Sequence, residues 1–231
     1  MPDIHSCADI LAKIKGPVAL AFSHQAEDAA VLHLALGRGL EGLEVFTLDT
    51  GKLFPETYTY HREAERFFGL RIIKYSPDEE AVRSLEKKLG GWGMRESLEN
   101  RRLCCHVRKV APLQKALAGK SAWITGLRAS QSVTRAGLQI LEYDAVNGLI
   151  KINPLAAWTD QELAAYIEEH GIPVHPLYAK GFKSIGCSPC TRAVREGEEA
   201  RAGRWWWESP GHRECGLHLN AGHLQAGGKP V

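Results

Sequence analysis

The sequence has no apolar run approaching the ~20 residues that a membrane-spanning helix needs. Its opening residues, Met-Pro-Asp-Ile-His-Ser-Cys, carry neither the basic segment nor the apolar core of a secretory signal. Neither a membrane protein nor a secreted one is expected. Net charge is also scarce: 29 Lys and Arg against 27 Asp and Glu leave a formal +2, too little to argue for nucleic acid or an anionic membrane as partner. There is no Walker A loop, no Rossmann glycine fingerprint and no internal repeat. Cysteine is sparse, and six thiols in a chain without an export signal point to metal binding or catalysis rather than disulfides. A reduced, cytoplasmic protein is expected. The 231 residues, 44% hydrophobic and 24% charged, are enough for one sizeable core with an appended tail.

Short apolar runs at 17–22, 43–48, 70–75 and 122–125 read as buried strands. Helical stretches from Glu27 to Leu36 and from Pro55 to Phe68 alternate with the first three, and Pro55 suits a first helical turn. This order predicts an α/β fold with a parallel sheet covered on both faces, and ligands at the carboxyl ends of its strands. Residues 138–153 read as a hairpin turning at Asn147-Gly148. Thr159-Asp-Gln-Glu162 is a capping box opening a helix that should run to about His170 and stop at Gly171.

The cysteines divide into two kinds. A vicinal pair, Cys104-Cys105, is separated by 81 residues from Cys187-Ser-Pro-Cys190, whereas Cys215 sits in Arg213-Glu-Cys-Gly-Leu-His218. The tetrad could hold zinc or an iron–sulfur cluster. Adjacent helical side chains diverge by about 100°, which suits separate irons of a [4Fe–4S] cubane better than one tetrahedral ion. The pair lies in a basic stretch, Arg101 to Lys109, that suits an anionic cluster and an anionic substrate. Lys109 falls one helical turn beyond Cys105. Cys215, flanked by Arg213 and His218, has neighbours that favour a thiolate nucleophile. Cys7 has no such setting and reads as a spare thiol. Trp205-Trp-Trp207 reads as core packing or an interface, and the residues beyond Ala221 as a mobile end.

Three segments should converge on a nucleotide crevice. Ser23, Glu27 and Asp28 follow the first strand and open a helix whose N-terminus can hold an anion. Asp49, Thr50 and Gly51 follow the second strand. Gly126, Arg128 and Arg135 follow a later one, with glycine for close approach and two arginines for anions.

Leu48-Asp-Thr-Gly, the Cys-Cys…Cys-x-x-Cys tetrad, Thr125-Gly-Leu-Arg and Glu214-Cys-Gly-Leu-His together resemble the assimilatory sulfonucleotide reductases, specifically their cluster-bearing adenylylsulfate (APS) reductases. The resemblance runs from about residue 17 to His218. It implies the adenine-nucleotide hydrolase-like fold shared with ATP pyrophosphatases, here over 1–204, with a mobile tail over 205–231 carrying the catalytic cysteine. It implies a [4Fe–4S] cluster on Cys104, Cys105, Cys187 and Cys190, and attack by Cys215 on the sulfur of APS. A thioredoxin- or glutaredoxin-type thiol would then release sulfite. Charge developing on the leaving phosphate and the sulfonate oxygens calls for fixed cations: Lys109, Arg128, Arg135, Arg201 and Arg204, with His218 behind Cys215. The 3′-phosphorylated substrate PAPS, alone or alongside APS, is the alternative. An iron–sulfur tRNA thiolase and a non-catalytic iron–sulfur sensor are more distant ones. The loop Ser23-His-Gln lacks the Ser-Gly-Gly of pyrophosphatases, which counts against ATP cleavage. Oligomeric state stays open, a homo-oligomer included.

Overall fold

The computed structural model describes residues 16–40, 42–131, 135–214 and 216–217. Among these, the strands are β1 (Val18–Ala21), β2 (Leu43–Leu48), β3 (Ile73–Tyr75), β4 (Ala122–Ile124), β5 (Leu141–Asp144) and β6 (Leu149–Ile152). The helices are α1 (Ala26–Leu36), α2 (Pro55–Phe68), α3 (Glu79–Leu89), α4 (Leu98–Cys105), α5 (Ala111–Leu117) and α6 (Asp160–Glu169). One sheet runs in the order β3-β2-β1-β4-β6-β5, parallel except for β5, which pairs antiparallel with β6. The expected α/β class and parallel sheet are what the structure has. No helix among the described residues is long and apolar enough to cross a membrane.

Strand alternation divides the core into two layers. Val18, Leu20, Phe22, Val45 and Ile124 pack with α1, α2 and α6 on one face. Ala19, Phe46 and Trp123 pack with Leu113, Ala116 and Leu117 of α5 on the other. The capping box forms as expected: Thr159 Oγ1 accepts from the Glu162 amide, and Glu162 Oε2 accepts from the Thr159 amide at 2.8 Å. Gly171 follows at φ +58°.

Two expectations shift. The third strand keeps only Ile73–Tyr75 of the six residues anticipated, as an edge strand bonded on one side to β2. The hairpin turn is longer than a two-residue Asn-Gly loop. Asp144 Oδ1 accepts from the amides of Val146 and Asn147, and Gly148, at φ +72°, closes the turn back to the Asp144 carbonyl at 2.7 Å.

The strand order reverses between β1 and β4: the chain goes from β1 outward to β2 and β3 on one side, then returns to β4 on the other, and this is where a doubly wound fold binds its ligand. Gly126, just past β4, touches the first turn of α1. A Cβ there would lie 2.5 Å from Asp28 Oδ1 and 2.9 Å from the Asp28 amide nitrogen. Gly126→Ala should therefore cost about 1–3 kcal/mol in urea unfolding, and a loss below about 0.5 kcal/mol would show that the contact yields freely.

Candidate active site

The segment carrying the vicinal cysteines is helical throughout, but not uniformly α. Ser97 caps α4, accepting from the Asn100 amide at 3.1 Å. After Cys105 the chain widens into a π-helical turn, His106–Val110, before α5 begins. Pro112 explains the widening: it has no N–H for the carbonyl four residues back, and its ring would press on that group. The result is that Cys104, Cys105, Arg108 and Lys109 all line one pocket.

Cys187, Pro189 and Cys190 form the opposite wall, with Met94 and Trp205. The cavity between them is small, about 20 Å³. The four cysteines are unbridged, and all but Cys104 are buried. Four cations, Lys52, Arg101, Arg108 and Lys109, share the lining, and no carboxylate does. Among the described residues, no three His, Cys, Asp or Glu side chains close around a single ion position. Burial, then the neighbouring Cys187, pushes the Cys190 thiol up to about 11, against the pull of Lys109 and Arg204. Burial raises Cys104 as well. The raised thiols of Cys104 and Cys190 need an electrophilic partner to ionise.

The loop after β2 is tied to this chamber. Thr50 Oγ1 lies 3.3 Å from Cys187 Sγ, and Arg108 Nη1 donates to the Thr50 carbonyl at 2.8 Å. The Ser188 amide donates to the Lys52 carbonyl at 2.7 Å. Gly51 sits at φ +68°, with its amide on Asp49 Oδ1, which also accepts from Tyr58 Oη. Asp49, Thr50 and Gly51 thus join the crevice to the cysteines.

The loop after β1 is built differently from the expectation of a simple anion cradle. Ser23 donates through both its amide and its hydroxyl to Asp28 Oδ2, at 2.6 and 2.5 Å. Glu27 is buried against Arg128 Nη2 at 2.8 Å and Gln131 Nε2 at 2.9 Å. Arg128, anticipated as a cation for the substrate, also bonds Asp160 at 2.6 Å, Ser130 and the Trp158 carbonyl. Its guanidinium is committed to the wall. Arg204 is likewise turned inward: it donates to Ser184 and the Ile185 carbonyl and stacks on Trp205, 4.6 Å from the ring centre.

Arg135 and Arg201 do converge, on Glu214, at 3.3 and 3.1 Å. Cys215 and His218, like Cys7 and the end beyond Ala221, lie outside the described residues. The approach to Cys215 is held by a residue that sequence reasoning passed over. Arg101, 1% exposed, donates twice to Glu208 at 2.8 Å, to the His212 carbonyl at 2.7 Å and to the Glu214 carbonyl at 2.6 Å. The expected boundary after Arg204 therefore falls among packed residues. Trp205 is buried among Met94 and three of the cysteines, its backbone in the left-handed region at φ +41°. Trp206 and Trp207 stack on Arg95, whose Nη2 donates to the Pro189 carbonyl at 2.6 Å. Arg95 and Met94 were also missed, because their sequence neighbours carry no chemical pattern, as was Lys52, although it directly follows the Leu48-Asp-Thr-Gly51 motif.

A histidine cluster lies beneath the first loop. His24, buried at φ +66°, shares a hydrogen bond with His61 at 3.1 Å, and His175 shares one with Thr57 at 2.9 Å. Burial, with His61 and His175 nearby, holds His24 down at about 3, and burial holds His175 at about 4. Asp28 moves the other way, pushed by burial up to about 7 despite its bonds from Ser23. Between pH 4.5 and 5.5, unfolding takes up close to a proton at each of the two histidines and releases one at Asp28. The unfolded chain binds more protons, so stability should fall on acidification. A net uptake of one proton corresponds to about 1.4 kcal/mol per pH unit. Urea midpoints across this window check it, and flat midpoints would contradict it.

Known proteins resemble this chain in sequence and in fold. The phosphoadenosine phosphosulfate reductase domain matches residues 17–193. An adenosine 5′-phosphosulfate reductase from Allochromatium vinosum is 49% identical over 201 residues, covering 87% of this chain and 78% of that protein. One from Agrobacterium fabrum is 49% identical over 189 residues, covering 82% and 73%. A phosphoadenylyl-sulfate reductase from Candida auris, solved as a phosphate complex, superposes with a TM-score of 0.65 at 26% identity, over 83% of this chain and 96% of that one. The Candida glabrata FMN adenylyltransferase, with a TM-score of 0.56 at 15% identity over 99% and 75%, shares the fold alone. By sequence, by fold and by the cysteine chamber at its strand ends, the chain belongs to the phosphoadenosine phosphosulfate reductase family, in its adenosine 5′-phosphosulfate reductase branch.

Proposed function

We propose that this protein reduces APS to sulfite and AMP in sulfate assimilation, with Cys215 as nucleophile. The thiolate attacks the sulfur of APS, an S–S bond forms, the S–O bond to phosphate breaks, and AMP departs with the electron pair. A thiol of a thioredoxin- or glutaredoxin-type protein then attacks Cys215 Sγ of the S-sulfonate. Sulfite leaves, and the partner's second thiol resolves the mixed disulfide, so the partner supplies two electrons. A reduced cytoplasm suits this exchange.

The observation that carries the reading is the clustering of cations at the approach to Cys215. Lys109 faces the cysteine chamber, while Arg135 and Arg201 meet at Glu214, one residue away. Such groups stabilise the charge that develops on phosphate and sulfonate oxygens. Arg128 orders the crevice through its ion pair with Glu27, and Arg204 backs Trp205.

The four cysteines fit a [4Fe–4S] cluster. They are unbridged and line one chamber with four cations. When bound, the cluster supplies a fixed charged body that orients the surrounding cations.

A sulfite assay with a thiol reductant on anaerobically purified protein tests the reading. Turnover of APS should exceed that of PAPS by at least about tenfold in kcat/KM, the scale on which an enzyme separates substrates. The likeness to the Candida auris enzyme favours the opposite order, which faster PAPS turnover would establish, whereas equal rates would make the enzyme dual. Cys190→Ser should lose iron and acid-labile sulfide together; a variant that keeps both would remove the cluster from the account.

A further inference from the structure

The mechanism above gives no role to the acidic residue beside the nucleophile. Glu214 directly precedes Cys215, and its carboxylate is held by two arginines, Arg135 and Arg201. Arg135 Nη2 lies 3.3 and 3.4 Å from its two oxygens, and Arg201 Nη2 lies 3.1 Å from Oε2. Both arginine side chains are largely buried, at 10% and 13% exposure, against 25% for Glu214. Arg201 also holds the Arg213 carbonyl at 2.9 Å, and Arg135 bonds Gln131. The two guanidinium groups therefore already bind an anion. A carboxylate and a sulfonate or phosphate offer guanidinium the same thing, paired anionic oxygens.

We propose that Glu214 is a placeholder for the sulfo-phosphate end of the substrate. Substrate must exchange with the carboxylate at Arg135 and Arg201, and the exchange moves residue 214 together with the adjoining Cys215. This deepens the functional reading given above and rests on it. In this scheme the chain pays for a neutralised pair of arginines with affinity, because only molecules whose Glu214 has swung away are competent to bind. The rival role, in which Glu214 orients the arginines for the substrate, gives the opposite sign: removing its charge would weaken binding. A partly exposed ion pair is worth about the free energy of a tenfold change in affinity or less.

The test is calorimetric titration of APS into the anaerobically purified Cys215→Ser protein, which cannot turn it over. Absence of binding there would overturn the functional reading and this inference with it. With binding established, adding Glu214→Gln removes the charge and keeps the shape, and should lower Kd by about tenfold. Adding Glu214→Asp keeps the charge and should leave Kd within about threefold. An unchanged or higher Kd for the glutamine variant, or an equal gain for the aspartate variant, overturns the placeholder while sparing the function. If the glutamine variant fails to fold, inorganic sulfate serves as probe on the wild-type protein. Saturating sulfate, compared with chloride at equal ionic strength, should speed iodoacetamide labelling of Cys215, mapped by peptide mass, by at least about threefold. An unchanged rate would overturn the exchange.

Discussion

Cys215→Ser should lower sulfite formation from APS by at least about 10³-fold while leaving substrate binding intact. A serine hydroxyl stays protonated at neutral pH, whereas a thiol among cations supplies thiolate, the form that attacks. Arg135, Arg201 and Arg101 reach this segment through Glu214, Arg213 and His212. Their grip on the tail and on anions should therefore survive the substitution. Turnover and the dissociation constant, measured on the same preparation, separate the two effects. A serine variant that keeps more than about a tenth of the activity would mean that another group attacks sulfur.

Arg101→Ala should be the most destabilising single change outside the hydrophobic core. Arg101 makes a two-pronged ion pair with Glu208, caps two carbonyls of the segment leading to Cys215, and lies 4.9 Å from the centre of the Trp205 ring. Alanine would leave Glu208, itself only 8% exposed on its side chain, without its partner. Breaking a buried pair from one side costs about 3–5 kcal/mol. The tether on the nucleophile would go as well, and misplacing a reacting group by an ångström costs about 10²-fold in rate. Arg101→Lys should recover little of either, because an ammonium cannot reproduce the fork. Urea unfolding and the sulfite assay read the two consequences independently. A loss under about 1 kcal/mol with full activity would show that Arg101 is replaceable by water.

The parts of this molecule legible in its sequence are those fixed by local chemistry. The strand at 43–48, the helix from Pro55 to Phe68 and the capping box at Thr159 follow from runs, periodicity and caps a few residues apart. The convergence of the two cysteine pairs was legible too, because four thiols in that spacing have few other uses. Less legible was which arginine serves what. Arg128 and Arg135 lie seven positions apart in one loop and look alike in sequence. Glu27, 101 residues away from Arg128, commits that side chain to the wall, and nothing local signals it. Arg101 was visible only as one charge in a basic stretch, since its partners lie at 208, 212 and 214. The histidine cluster was hidden for the same reason: His24, His61 and His175 come from three separate elements. Long-range pairing of polar groups is a property of the fold, and single-sequence patterns do not carry it.

The covalent step is the centre of the account, and intact-mass spectrometry reads it directly. Anaerobically purified protein incubated with APS and no reductant should gain the mass of one SO₃ group. The gain should be absent in Cys215→Ser and should disappear, with sulfite released, when a reduced thioredoxin-type protein is added. A protein that binds APS but never gains that mass, and forms sulfite only when substrate and reductant are present together, would contradict the S-sulfonate on Cys215.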